Sequence, residues 1–353
     1  MAAPSISFVS LGLVVLDEIR FSNQKPLIDV VGGSGAYATL GARLFLPSLS
    51  SRSLGWLLHI GNDFPEPIAQ YLTNNWDTTL IIDKETDKPS TRGLLEYKDT
   101  TFGPKDFRYT TPILQVQTSS LKDTPLLESK AYHYLETPQN IINRVSDLLS
   151  AREHEAIPRR PLIIWEPAPP SCRAENLQPC LEAAHTVDVF SPNHLELAAF
   201  FGDPPSSSSL GKEKIESLAL RFLDSGVGPD GKGTVIIRAG EHGCFVCARH
   251  LSTSWLPPFF KYGPRREHNS KVVDPTGAGN AFLGAYTIGY LNTGNIIEAA
   301  CYGSVGASFA LEQVGMPEIG TDISGELWNG ESVLSRLQEY RMAIGGFATS
   351  TCT

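Results

Sequence analysis

The 353-residue sequence has no apolar run long enough to cross a bilayer as a helix. Its first apolar stretch, residues 6–16, has no basic residue ahead of it and ends at Asp17. A secretory signal usually begins with a basic segment, so we interpret this stretch as a buried strand. We therefore expect a cytoplasmic protein with no membrane partner, with the nucleus left open.

Basic residues are scarce, since 29 Lys and Arg stand against 38 Asp and Glu and give a net charge of −9. Proteins that bind nucleic acid as their main partner need a basic surface to meet the phosphate backbone. The composition therefore excludes nucleic acid as the main partner. It remains compatible with a local basic pocket for a small anion.

The six cysteines do not form a complete metal site. Cys244 and Cys247 have Cys-x-x-Cys spacing, but no second such pair and no nearby His pair completes a tetrahedral set. Both lie in a strand-like run, where residues three apart point to opposite faces. We expect free thiols, which are typical of cytosolic proteins.

The turn of a dinucleotide-binding dehydrogenase is also missing. That fold requires G-x-G-x-x-G directly after the first strand and an acidic residue about 20 positions later. The Gly33-x-Gly35 pair lies behind a further strand-like segment and lacks that spacing. This argues against a Rossmann dehydrogenase.

Alternating strands and helices are the dominant pattern. Apolar strands are predicted at 7–15, 56–60, 131–135, 162–165, 187–190, 234–238 and 244–248, and helices lie between most of them. Such alternation predicts a parallel sheet that is covered by helices on both faces.

Residues 274–280 are the most informative stretch, because a turn of small residues opens there directly into an apolar helix. Such a turn leaves backbone N–H groups unpaired at the positive end of the helix, where anions bind. Gly277, Ala278 and Gly279 carry little or no side chain, so a phosphoryl group could approach the backbone closely.

This stretch resembles the C-terminal signature of the PfkB/ribokinase family of small-molecule kinases, and further motifs follow the family's order through residues 5–317. The resemblance implies a ribokinase-like three-layer α/β/α fold with a mostly parallel sheet. It also implies one kinase domain over residues 1–325, with a small β-rich lid from segments near 18–31 and 78–116. A C-terminal helix and a frayed tail would occupy residues 326–353.

Four residues stand at positions of the family's acceptor side, and three of them match its motifs. Asp17 closes a strand-end motif whose Asp binds a sugar hydroxyl in the family, and Gly32 and Gly33 resemble its di-glycine hinge. Tyr37 stands where ribokinases carry a substrate-binding Asn, which argues against ribose itself as the acceptor.

Asn193 and Glu196 resemble the family's Asn-x-x-Glu motif, which organises Mg²⁺ and its water shell. Mg²⁺ keeps several waters, so a carboxylate beyond those waters is sufficient. The same spacing is also typical of a helix capping box, and both roles can hold together.

The remaining nucleotide-side residues lie in two segments. Arg238, Gly240 and Gly243 resemble the strand and turn that face the nucleotide phosphates, although most members carry Thr where Arg238 stands. Arg238 could pair with phosphate oxygens or could form a surface salt bridge. Asp274 and Thr276 match positions that help to hold a monovalent cation such as K⁺.

Asn280 departs from the family, whose signature ends in the Asp that serves as general base. The resemblance implies an ATP- and Mg²⁺-dependent phosphotransferase whose anion hole is formed by Gly277, Ala278 and Gly279. Its acceptor would be a sugar or a nucleoside. General-base catalysis contributes about 10²–10⁴-fold, so an amide at position 280 predicts slow transfer or altered base chemistry.

Three interpretations remain open from the sequence. The chain could be a kinase with a compensated site, a pseudokinase that binds nucleotide or sugar, or a structural protein on an old enzyme scaffold. The intact glycines of the 277–279 turn argue against the last. The resemblance also raises a homodimer formed through the lid.

Overall fold

The computed structural model describes residues 5–22, 24–97, 105–203, 210–261, 269–323 and 325–345. Nine strands of this part form one sheet in the order β13-β12-β11-β10-β9-β8-β1-β4-β5. Their bounds are β1 Phe8–Ser10, β4 Leu54–Ile60, β5 Thr79–Lys84, β8 Ala131–Glu136, β9 Leu162–Pro167, β10 Val189–Phe190, β11 Thr234–Arg238, β12 Cys244–Ala248 and β13 Leu251–Leu256. All neighbours are parallel except β12, which pairs antiparallel with both β11 and β13.

Helices cover both faces of this sheet. One face carries α1 Ser34–Leu44, α2 Glu66–Trp76, α7 Ala278–Thr293, α8 Ile296–Leu311 and α9 Val333–Ala343. The other carries α3 Pro138–His154, α4 Leu177–Ala184, α5 His194–Phe200 and α6 Lys212–Ser225. Successive strand residues enter opposite cores, as Ile164 and Ile163 do on β9. The predicted three-layer α/β/α fold with a mostly parallel sheet is confirmed.

A second sheet of four strands stands apart in the order β3-β2-β6-β7. It contains β2 Val15–Arg20, β3 Leu27–Gly32, β6 Arg92–Tyr97 and β7 Lys105–Tyr109. The strand predicted at 7–15 is therefore two strands, because the chain passes from the main sheet to the small one between β1 and β2. A hairpin of β14 Ile319–Asp322 and β15 Gly325–Trp328, absent from our predictions, follows α8.

The lid segment predicted at 78–116 is wrong at its beginning. Residues Thr79–Lys84 form β5, which pairs in parallel with β4 at the edge of the main sheet. An edge strand is covered less completely than a central one, which gives it the same irregular pattern as a lid strand.

Helices α1 and α7 approach each other closely because glycine stands at their contact. A Cβ on Gly41 would lie 1.9 Å from the Ala281 carbonyl oxygen, and one on Gly284 would lie 1.8 Å from the Ala38 carbonyl oxygen. Both neighbours are backbone atoms that cannot rotate away. This contact sets the position of the α7 N-terminus relative to α1.

The last helix shares its core with the domain before it, since Trp328 and Leu337 belong to the same buried cluster as α1. Arg43 on α1 also forms two 2.7 Å bonds with the Glu326 carboxylate on β15. The division of the chain at residue 326 stays a prediction, and the frayed tail beyond residue 345 lies outside the described residues.

The thiols of the Cys-x-x-Cys pair are free, as the sequence predicts. Cys244 and Cys247 both lie buried in β12 as free thiols, and burial raises the pKa of each to about 12. Within the described ranges, no helix is both long and apolar enough to span a membrane.

Candidate active site

The candidate site lies where the carboxyl ends of the central strands meet the N-termini of α1 and α7. Open α/β sheets bind ligands at this edge, next to the point where strand order reverses. Here the order reverses around β1, whose neighbours are β4 and β8. The predicted residues from both chain halves therefore converge on one cleft.

The turn into α7 has the geometry of an anion cradle. Gly277 is the N-cap with a φ of 76°, a left-handed conformation that favours glycine. The Ala278 N–H already donates to the Pro275 carbonyl oxygen at 3.3 Å. The N–H groups of Gly279 and Asn280 have no protein acceptor in the part of the chain that the structure describes. The amides without an acceptor are therefore those of Gly279 and Asn280, whereas the Ala278 N–H of the predicted 277–279 anion hole is already bonded. Anion binding at this turn stays a prediction.

Arg238 places its guanidinium group against this cradle, since a Cβ on Gly279 would lie 2.1 Å from Arg238 Nη1. Its Nη2 donates to the Ser191 carbonyl oxygen at 2.8 Å and lies 3.1 Å from Glu166 Oε2 and 3.6 Å from Glu196 Oε2. The alternative of a surface salt bridge does not hold, because the Arg238, Glu196 and Glu166 side chains are only 13%, 12% and 2% exposed. Pairing of Arg238 with phosphate oxygens stays a prediction.

Two polar atoms beside the cradle are buried without a partner among the described residues: Arg238 Nε and Ser191 Oγ. Buried polar atoms are normally hydrogen-bonded, so atoms of this kind indicate a ligand or ordered water. An anion held at the Gly279 amide, next to Arg238, fits this donor set.

Glu166, at the end of β9, is the central residue that our sequence reasoning missed. Its Oε1 accepts from His133 Nε2 at 2.9 Å and from Asn280 Nδ2, and its side chain is 2% exposed. Burial alone would raise the Glu166 pKa, but the Arg238 charge and the bonds from His133 and Asn280 hold it below its ordinary value. The available signal was a single acidic residue closing an apolar strand.

Asn193 and Glu196 form the predicted capping box at the start of α5. Asn193 Oδ1 accepts from the Leu195 and Glu196 N–H groups at 2.9 and 2.8 Å, and Glu196 Oε2 accepts from the Asn193 N–H at 2.7 Å. Burial raises the Glu196 pKa to about 7, against the opposing effect of Arg238. A role of this carboxylate near Mg²⁺ stays a prediction.

The residues predicted to contact the acceptor lie close together, and the Asp17 and Tyr37 side chains are buried. A Cβ on Gly32 would lie 2.1 Å from Asp17 Oδ2, and one on Gly93 would lie 2.3 Å from Asp17 Oδ1, so both glycines make room for this carboxylate. The Tyr37 ring covers Gly277, where a Cβ would lie 2.1 Å from it. Asp17 is 5% exposed and Tyr37 is 3% exposed. Gly33 caps α1 with a φ of 93°.

Asp274 connects the turn before α7 to the small sheet. Its Oδ1 accepts from Thr276 N at 2.9 Å, from Thr276 Oγ1 at 2.6 Å and from the Tyr97 hydroxyl at 2.8 Å. Tyr97, on β6, is a second residue that the sequence did not reveal. A monovalent cation at Asp274 and Thr276 stays a prediction.

A cavity of about 360 Å³ leads to the cradle. Gly240 and Gly243 lie in its wall, in the turn between β11 and β12. Among its other lining residues Asn193, His194, Arg238 and Glu241 are polar, and we call the large apolar ones the apolar wall: Leu195, Pro258, Phe259, Phe260, Val272, Phe282 and Leu311. Ligand cavities commonly combine an apolar body with a few polar groups at one end.

The sheet order, the two helical layers and the small separate sheet define the ribokinase-like class of folds. The chain belongs to the PfkB family of carbohydrate kinases, whose family model matches residues 30–319. This confirms the resemblance stated on the sequence motifs.

Relatives cover almost the whole chain. An uncharacterized protein of Schizosaccharomyces pombe is 35% identical over 95% of this chain and 92% of its own length. The protein MAK32 of Saccharomyces cerevisiae is 27% identical over 96% of this chain and 92% of its own length.

Solved structures agree with the fold. A putative ribokinase II from E. coli, in complex with ATP and Mg²⁺, matches with a TM-score of 0.64 and 15% identity over 96% of this chain and 99% of its own. Adenosine kinase from Schistosoma mansoni matches with a TM-score of 0.64 and 14% identity over 87% of this chain and 96% of its own. At these identities the likeness shows the fold alone.

Proposed function

We propose that this chain binds ATP in the 360 Å³ cavity and transfers its terminal phosphoryl group slowly to a small polyhydroxy acceptor, a sugar or a nucleoside. The observation that carries the proposal is a pair of N–H groups without acceptors among the described residues, one on Gly279, which lines the cavity, and one on the adjacent Asn280. The bound forms of similar folds support the choice of ligand, since the E. coli structure holds ATP and Mg²⁺.

Groups suited to nucleotide binding and to charge stabilisation are present among the described residues. The apolar wall around Phe259 and Phe282 would hold the base, and the α7 N-terminus with Arg238 would face the phosphates. Mg²⁺, near Glu196, would neutralise phosphate charge when bound. Phosphoryl transfer depends mainly on positioning and electrostatics, so these groups support turnover without a strong base.

Asn280 limits the rate in this proposal. Its amide can accept a hydrogen bond from an acceptor hydroxyl but cannot take up the proton near neutral pH. We expect turnover below that of a site with an Asp by up to about 10²–10⁴-fold. Tyr37 on α1 and Asp17, which lies on β2 of the small sheet, would face the acceptor once the small sheet has moved away from α1.

A second candidate is a pseudokinase that binds the same ligands without transfer. The enclosed acceptor side favours it, since Asp17 and Tyr37 are buried in the described conformation.

The small sheet also offers a surface for a homodimer, since Ile28 is 57% exposed and Phe107 is 48% exposed.

A thermal-shift titration with ATP, with and without Mg²⁺, tests the nucleotide site. The matched variants are Gly279→Ala, whose Cβ would meet Arg238 Nη1 at 2.1 Å, and Gly320→Ala, whose Cβ would meet nothing within 4 Å. We expect ATP to stabilise the wild type and Gly320→Ala, and the Gly279→Ala protein to lose at least about 10-fold in affinity, as for one lost charge-assisted contact. Absence of any ATP stabilisation of the wild type would refute the proposal.

ATP consumption against a panel of sugars and nucleosides then separates the two candidates. Turnover that requires one acceptor would support the kinase. ATP binding with no turnover on any member of the panel would support the pseudokinase.

A further inference from the structure

The buried Glu166 carboxylate is hydrogen-bonded to Asn280, the residue that departs from the family. A carboxylate can only accept hydrogen bonds, so the Asn280 amide must present Nδ2 to Glu166. Its Oδ1 therefore lies on the opposite side of the amide, away from Glu166. Toward that side Asn280 presents an acceptor, as an Asp would.

The groups behind Glu166 are arranged to keep it charged. His133 Nε2 bonds Glu166 Oε1 at 2.9 Å, and His133 Nδ1 lies 2.8 Å from Ser10 Oγ, with both residues buried. Ser10 Oγ also accepts from the Gly12 N–H at 3.2 Å. Because a carboxylate only accepts, His133 Nε2 donates to Glu166, and Ser10 and His133 form a hydrogen-bonded chain that ends at Glu166.

We propose that Glu166 is a positioning residue that fixes the Asn280 amide and holds Arg238 beside the Gly279 amide, and that this cluster accommodates one carboxylate, at position 166 or at position 280. Glu166 does not line the cavity, and its side-chain polar contacts among the described residues are with Asn280, Arg238 and His133. Only the catalytic part of this inference rests on the proposed function.

The consequence is that an Asp at position 280 does not simply restore a base. In Asn280→Asp the carboxyl groups of residues 166 and 280 would lie within hydrogen-bonding distance of each other, which normally leaves one of them protonated. The charged and titratable groups that face this pair are Arg238 on β11, His133 on β8 and, more distantly, Glu196 on α5. A neutral Gln at position 166 would instead donate to the new carboxylate at position 280 and leave the charge of the cluster unchanged, with the His133 proton shifted to Nδ1, where Ser10 Oγ can accept it.

Urea unfolding of four proteins tests the coupling: wild type, Glu166→Gln, Asn280→Asp and the double variant. We expect each single change to lower the unfolding midpoint and the double variant to regain at least half of the summed loss. The matched control is Glu136→Gln, which removes another buried carboxylate, bonded to Arg144 at 2.9 Å and not to Asn280. Combined with Asn280→Asp, it should add to the loss.

A pH profile of ATP turnover gives a readout that a purely structural role would not move. The double variant should reach half of its maximal rate at a pH at least about one unit below that of Asn280→Asp, because the charge of Glu166 no longer opposes ionisation of the introduced carboxyl group. Additive midpoints together with coincident profiles would overturn the inference. If none of the proteins binds ATP, the proposed function fails, while the unfolding data still decide whether positions 166 and 280 are coupled.

Discussion

At the scale of single residues, Glu196 combines a helix cap with a raised pKa. The carboxylate caps α5 through the Asn193 N–H, yet burial raises its pKa to about 7. The spacing of Asn193 and Glu196 predicted this cap from the sequence alone. The buried environment could not be predicted, because it depends on Arg238 and on strands that are distant in the sequence.

The raised pKa of Glu196 predicts that stability falls as the pH rises. The folded state holds a proton with a pKa of about 7 that the unfolded chain releases around the ordinary value of 4.5. This contribution is complete below that ordinary value and is lost as the pH rises through the folded pKa. Glu196→Gln should flatten the dependence by about 1–3 kcal/mol between about pH 5 and pH 8.

Urea unfolding across this range, with EDTA present, measures the effect. Glu213→Gln is the control, because Glu213 is an exposed residue at the start of α6. An unchanged slope in Glu196→Gln would contradict the assignment.

At the scale of the elements, the cradle depends on the contact between α1 and α7. The helix after the 277–279 turn was predicted from its apolar pattern, but its distance from α1 was not, since glycine at a contact looks the same in sequence as glycine in a turn. Glu166 and Tyr97 were missed for a related reason: strand order brings them to the site from different parts of the chain.

Gly284→Ala tests this contact. Its Cβ would lie 1.8 Å from the Ala38 carbonyl oxygen, so the helices must separate. We expect a loss of about 1–3 kcal/mol in the free energy of unfolding, as for other overpacked cores, and weaker stabilisation by ATP. Chemical denaturation and thermal shift measure the two effects. Gly320→Ala again provides the open position, and equal behaviour of both variants would argue against the contact.

At the scale of the whole molecule, the C-terminal hairpin and helix are tied to the first helix. Arg43 is buried and donates to the Trp76 and Leu46 carbonyl oxygens as well as to Glu326. The sequence did not predict this tie, because the hairpin strands are short and the partners lie 283 positions apart. The alternating strands and helices, in contrast, were sufficient to predict the layered fold.

Arg43→Met should cost about 3–5 kcal/mol in the free energy of unfolding, because Glu326 would stay buried without its cation. Arg20→Met, which removes an exposed pair with Glu18, should leave stability nearly unchanged, because solvent screens that pair. Urea unfolding followed by tryptophan fluorescence checks both variants, since Trp328 and Trp76 are in edge contact beside the buried pair. Equal losses in the two variants would show that the buried pair has no special weight.

The hydrogen bond between the Tyr97 hydroxyl and Asp274 joins the small sheet to the turn that leads into α7. With this bond made, Asp17 on β2 is buried. Under the proposed function an acceptor would reach Asp17 only after the small sheet, which carries both Asp17 and Tyr97, moves away from α7. That movement would pull Tyr97 from the segment that leads into α7. Binding of one substrate would thereby change the affinity for the other, and the order in which the two bind would matter.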